Sequence, residues 1–159
     1  MKQRGYTLIE LLAVLAILAI LAAMSMPFVQ VSAERSRERE LKRALWEIRD
    51  AIDAYHAARL SGAVPPTDSG AGPSSYPPDL QALTRLQPDA RADHRGESLR
   101  FLRRVPRDPF ADPAVSAEQS WGLRSFASEA DHPQPGVDVY DVYSRSPGLA
   151  LNGVPLAQW

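Results

Sequence analysis

Apolar and polar positions divide the chain into zones with different periods. No charged residue falls between Leu11 and Ala33, where nearly every side chain is aliphatic or small. As a helix rising about 1.5 Å per residue, this zone spans roughly 34 Å. That is enough to cross the ~30 Å hydrocarbon core of a bilayer with some tilt. Pro27 lies inside it, and proline removes an i→i−4 hydrogen bond, so the spacing predicts a helix kink or local melting near Ser25–Pro27. From Glu34 to about Leu60 the pattern becomes a stripe. Leu41, Leu45, Ile48, Ile52 and Tyr55 recur at intervals of four and three, widened by Ala44, Ala51 and Ala58, which predicts an amphipathic helix. Charges fill its other faces, with Glu38–Lys42 and Arg43–Glu47 at i,i+4 spacing. The section Glu34–Arg43 is charged nearly all round and reads as a solvated length standing free of the core. Trp46 lies beside the stripe, where it is expected to help cover a sheet. Ser61-Gly62 stops the helix and Pro65-Pro66 prevents its return.

Beyond the helix the chain is irregular. Val64–Tyr76 is rich in Pro, Gly and Ser and reads as a loop. Pro77-Pro78-Asp79-Leu80-Gln81-Ala82-Leu83 reads as a short helix with Asp79 as its N-cap. Next comes an arginine-rich stretch with Arg85, Arg91, Arg95, Arg100, Arg103 and Arg104. Asp89, Asp93 and Glu97 are interleaved and Phe101 is its one aromatic, so a solvated surface fits better than a nucleic-acid patch. Leu99, Leu102 and Val105 are this region's candidate core residues. Trp121–Ser128 and Val137–Ser144 read as strands joined by an irregular loop, Glu129–Gly136. Two or three antiparallel strands packed on the helical stripe make an α+β fold.

Composition narrows the function. The 159 residues leave one modest soluble domain once the apolar zone is set aside. Net charge is −1 and cysteine is absent, so there is no basic excess, disulfide framework or thiol nucleophile. His56, His94 and His132 are scattered, with no metalloprotease spacing, and no nucleophile elbow or phosphate loop is present. Asp131, Asp138 and Asp141 lie close together, but turn and strand-edge roles account for them. An enzyme is not expected, and neither is a nucleic-acid partner.

One charge stands at the front edge of the apolar zone, Glu10. A carboxylate in a spanning segment costs about 2.5–3.5 kcal/mol at the helix centre and less near an end. Either Glu10 sits at headgroup level or it has a cationic partner. Cleavage after Gly5 would create an α-amino group on Tyr6, one turn from Glu10. Neighbouring copies displaced along their axes could then pair amine with carboxylate, an interaction strengthened by low dielectric.

Met1-Lys2-Gln3-Arg4-Gly5 followed by Tyr6-Thr7-Leu8-Ile9-Glu10 and an apolar helix resembles the leader of type IV pilins and type II secretion pseudopilins. Tyr6 replaces the more usual Phe of that family. The resemblance implies a prepilin peptidase that cleaves between Gly5 and Tyr6 and N-methylates Tyr6, with Glu10 guiding assembly. Proline near position 27 is common in the family, where local unwinding helps subunits pack. Pro106-Arg107-Asp108-Pro109-Phe110, Trp121-Gly122 and a tail ending in Trp159 are similar to the G-type, or major, pseudopilin. The implied organisation is a leader at 1–5, a transmembrane assembly helix at 6–33, an amphipathic helix at 34–60 and a periplasmic head at 61–159. The implied partners are other copies and other pseudopilins, the peptidase and an inner-membrane assembly platform. The implied location is the bacterial inner membrane, single-pass, with a periplasmic head. The fold it implies is pilin-like.

Two alternatives share parts of this pattern. One is a type IV or competence pilin; the other is a periplasmic binding module held by an unprocessed anchor. An ordinary secretory signal peptide fits less well, because the apolar run is long, Glu10 interrupts it, and Ala23-Met24-Ser25-Met26 is a poor cleavage site. The G-type resemblance also implies calcium in the tail loop. Calcium takes six to eight oxygens, usually including carboxylates, and residues 145–159 contain no Asp or Glu, with Asp141 the nearest and Asn152 the best remaining donor. Calcium is therefore disfavoured, and no metal or other cofactor is expected.

Overall fold

The computed structural model describes residues 6–65, 74–94 and 96–159, without the side chains of residues 23–29. Gly5, Arg95 and most of the Val64–Tyr76 loop therefore lie outside the described residues. The chain divides into two compact units, Met1–Ser36 and Arg37–Trp159. One helix, α1 (Leu8–Leu60), contributes to both.

In the second unit the stripe behaves as its period demands. Leu41, Leu45, Ile48, Ile52 and Tyr55 are all 0–2 % exposed. They form one core with Leu80, Leu83, Leu102, Trp121, Val142 and Leu156. Each such side chain contributes about 1.5–3 kcal/mol through removal from water. The helix stops as its last residues require: Gly62 takes φ +77°, Ala63 N–H bonds the Ala58 carbonyl at 2.9 Å, and Gly62 N–H bonds that of Arg59 at 3.2 Å. This paired closure satisfies carbonyls the helix leaves open, and glycine adopts the left-handed conformation at no steric cost.

Trp46 departs from expectation. It is 68 % exposed, and the tryptophan in the core is Trp121. At about 100° per residue, Trp46 lies a quarter-turn beyond Leu45 and outside the stripe. The i,i+4 pair Glu38–Lys42 is also absent: Glu38 bonds the Leu151 N–H and Lys42 stands over the Trp159 ring.

The rest of the head is short elements on that helix. A 3-10 helix, Leu80–Leu83, is capped by Asp79, whose carboxyl accepts from the Ala82 N–H at 2.7 Å. A small hairpin, β1 (Gln87–Pro88) and β2 (Ser98–Leu99), occupies the arginine-rich stretch read as surface without strands. A second antiparallel pair, β3 (Trp121–Arg124) and β4 (Asp141–Ser144), runs in the register Trp121↔Ser144 to Arg124↔Asp141. Both strands are shorter than the predicted Trp121–Ser128 and Val137–Ser144. Asp138 ends the ladder: its Oδ1 accepts from Ser125 Oγ at 2.6 Å and Phe126 N–H at 2.9 Å. Val139 N–H turns away to the Pro77 carbonyl at 2.8 Å. Opposite Tyr143, a Cβ on Gly122 would stand 2.3 Å from the tyrosine ring, so only glycine lets that ring lie flat across the pair. The architecture is α+β and pilin-like, a long N-terminal helix packed with a small antiparallel sheet.

Candidate functional site

Among its described residues, the first unit presents exposed apolar side chains. Tyr6 is 79 % exposed, and Leu8, Ile9, Leu12, Leu15, Leu18 and Leu21 are all open. These positions surround the helix rather than lining one face, so the segment is built to be covered all round. Among the described residues no helix is long and apolar enough to cross a membrane. The apolar run continues in sequence through residues 23–29, whose side chains lie outside the described set. The helix continues through Pro27 without a break, so the backbone does not melt there as the sequence allowed.

Glu10 is exposed in the first turn of α1, where a carboxylate favours the positive end of the helix dipole. Its Oε2 lies 3.5 Å from the Thr7 N–H. Thr7 precedes the first helical residue and Glu10 is three positions on, so Thr-Leu-Ile-Glu has the spacing of a capping box. That spacing was legible in the sequence, and it gives Glu10 a local contact in the single chain. The Gly5–Tyr6 bond lies outside the described residues.

In the head, the strongest polar constellation gathers around Arg49, which sequence reasoning passed over as one more solvated charge. Its Nε donates to Asp141 Oδ1 at 2.8 Å, and a terminal nitrogen donates to the Val142 carbonyl at 3.1 Å and a main-chain oxygen of Trp159 at 2.8 Å. Arg124 meets the other Asp141 oxygen at 3.3 Å and lies over the Tyr140 ring at 4.7 Å. Glu38, Lys42 and Arg49 share one flank of α1, four and seven residues apart. A signal was present in that common flank, but nothing local says which segment will meet it.

Asp108 is fully buried. Its Oδ1 accepts from Phe110 N–H at 2.8 Å and its Oδ2 from Ser144 Oγ at 2.7 Å. Trp121 Nε1 donates to the Pro106 carbonyl at 2.8 Å. The Pro-Arg-Asp-Pro-Phe turn thus fastens the chain to both β3 and β4. Asp138 is similar in kind. Burial pushes its carboxyl up, but hydrogen bonds from Ser125, Ser74 and Phe126 outweigh burial and hold it below the usual carboxylate range.

In the β1–β2 hairpin, Asp89, His94 and Glu97 bring one potential ligand atom each within 4.8 Å of one another. Asp89 is already saturated: the Arg91 side chain and N–H donate to both its oxygens. The Arg91 hydrogen bond holds the Asp89 carboxyl at about 2. His94 Nδ1 is 2.9 Å from Glu97 Oε2, and that bond raises the imidazole above its ordinary value. The arrangement is an ion-pair network that braces the hairpin.

Two hollows flank β3 and β4. One, about 520 Å³, is bounded by Asp79, Gln81, Glu118, Trp121, Tyr143 and Arg145. The other, about 740 Å³, lies beside Arg49, Arg124, Asp131 and Trp159. Neither lining holds a nucleophile beside a base.

The tail residues do not fit the calcium ion that the resemblance implies. Asp141 has one oxygen on Arg49 and the other on Arg124, and two guanidinium groups repel a divalent cation. Asn152 Oδ1 accepts from the Val154 N–H at 3.1 Å.

A family model, the prokaryotic N-terminal methylation motif, matches residues 1–26. No curated protein and no solved structure matches the chain. The match identifies a type IV pilin-like prepilin leader, which implies processing by prepilin peptidase, a membrane-anchored N-terminus and pilus-like assembly.

Proposed function

We propose that the chain is a structural subunit of a type II secretion pseudopilus, of the G type, supporting export of proteins across the outer membrane. Cleavage falls between Gly5 and Tyr6, Tyr6 becomes N-methylated, and the helix around residues 6–33 spans the inner membrane with the head in the periplasm. The observation that carries this reading is the methylation motif heading a helix that is apolar on every side and uncovered in the single chain. Each uncovered aliphatic forgoes about 1.5–3 kcal/mol. Lipid covers the helix before assembly, and other subunits' helices cover it in the filament.

Glu10 then has two partners in succession. In the single chain it caps its own helix; in the filament the Tyr6 amine of a neighbour neutralises it. Pro27 gives the helix a bend for close packing. The G-type assignment is supported by the buried Asp108 turn and by Trp121 seated on Pro106. It assigns the head no catalysis or cofactor, and the buried carboxyls a structural role.

Intact mass spectrometry of the protein extracted from membranes tests the reading. It expects a chain beginning at N-methyl-Tyr6; a chain retaining residues 1–5 would overturn it. Glu10→Ala is expected to be processed and inserted normally yet form few filaments, and undiminished filaments would remove the pairing role.

A further inference from the structure

The tail after β4 is held to α1 by side chains that share one flank. Glu38 Oε1 accepts from the Leu151 N–H at 2.5 Å, and the Lys42 ammonium stands 4.1 Å from the Trp159 ring centre. Arg49 does the most. One guanidinium draws in a carboxylate oxygen of Asp141, the carbonyl of Val142 and a main-chain oxygen of Trp159, which is 110 residues away in sequence.

Gathering oxygens from separate segments is what a hard cation does in a loop site. A guanidinium can do the same with a single charge and five fixed donors, and it cannot dissociate. We propose that Arg49 is the built-in cation of this head. It fastens residues 145–159 to α1 and β4, and it makes that closure independent of calcium. The proposal rests on the donor geometry and on the misfit of the tail to calcium, not on the assembly reading above.

Three observations agree. Both Asp141 oxygens are taken by arginines, so Asp141 has none left to offer a metal at the tail, and Glu38 spends one of its oxygens on the Leu151 N–H. Asn152 spends its acceptor within its own turn. The tail also closes on itself, with Ala150 N–H on the Val154 carbonyl at 2.9 Å and Leu156 N–H on that of Gly148 at 3.0 Å. It therefore arrives as a formed loop that needs fastening at its ends rather than shaping from within. The side chain of Arg49 is 35 % exposed, so solvent weakens each bond. Retention comes from three simultaneous contacts rather than from one strong pair.

Amide exchange read by mass spectrometry on the full chain in detergent micelles tests this. Tail peptides covering 148–159 are expected to exchange at the same rate in EGTA and in millimolar calcium chloride. Arg49→Gln is expected to speed tail exchange about tenfold or more and leave the β1–β2 hairpin unchanged, with calcium restoring nothing. Arg49→Lys keeps the charge and three donors, but they radiate from one nitrogen instead of being spread along a planar fork that matches these oxygens, so it is expected to give an intermediate rate. Faster tail exchange of the wild-type chain in EGTA would overturn the proposal, and that arm requires no variant to fold. A protected tail in Arg49→Gln, or wild-type exchange in Arg49→Lys, would overturn it equally.

Discussion

Replacing Asp108 by alanine isolates how much the Pro-Arg-Asp-Pro-Phe turn holds the head together. The carboxyl is fully buried and accepts one hydrogen bond from Phe110 N–H and one from Ser144 Oγ. Alanine leaves both donors without a partner, and each unmet buried donor costs about 1–3 kcal/mol. Phe110 is only partly buried, so water can reach its N–H and its share falls at the low end. Ser144 is fully enclosed, so its share falls higher. Recovering the desolvation of a buried carboxyl offsets part of the loss. The expected net cost is about 2–4 kcal/mol, or roughly 8–15 °C in midpoint for a unit of this size. Asp108→Asn keeps the acceptor toward Phe110 and turns an amide toward Ser144, so about 1 kcal/mol is expected. Thermal unfolding of the full chain in detergent, followed by near-UV circular dichroism, measures both. An alanine midpoint within about 2 °C of wild type would refute the reasoning, as would an asparagine variant as damaged as alanine.

Two further outcomes follow from burial and charge. Ile48→Ala should cost about 2–5 kcal/mol because its site is closed on all sides. Trp46→Ser should stay within about 0.5 kcal/mol, and equal costs in the same melt would mean the stripe is misplaced. Asp89 titrates at about 2 when folded against 3.8 unfolded, so its contribution is complete above pH 3.8 and disappears as pH falls through 2. The stability gap between wild type and Arg91→Gln should accordingly be constant above about pH 4 and narrow toward pH 2. Acid titration of both melts checks this, and a gap that widens on acidification would contradict the pairing.

The parts of this protein legible in one dimension are those whose causes lie within a few residues. The 3.6 period placed Leu41 to Tyr55 in the core, Gly62 ended the helix, Asp79 capped the next, and the leader pattern stood before an apolar run. Each rests on local geometry, so spacing alone suffices. The same logic places Trp46 outside the stripe, which is why it stays exposed instead of covering the sheet. Other features depended on what arrived from afar. Arg49 looks like any solvated charge until Asp141 and Trp159 reach it. Glu38 and Lys42 match the spacing of a helical ion pair, yet both are drawn to the tail. Strand length likewise was set by Asp138 capturing Ser125 and Phe126 rather than by β-propensity. A polar helix flank carries the same residues whether water or another segment covers it, so only the folded chain decides which polar group holds the structure closed.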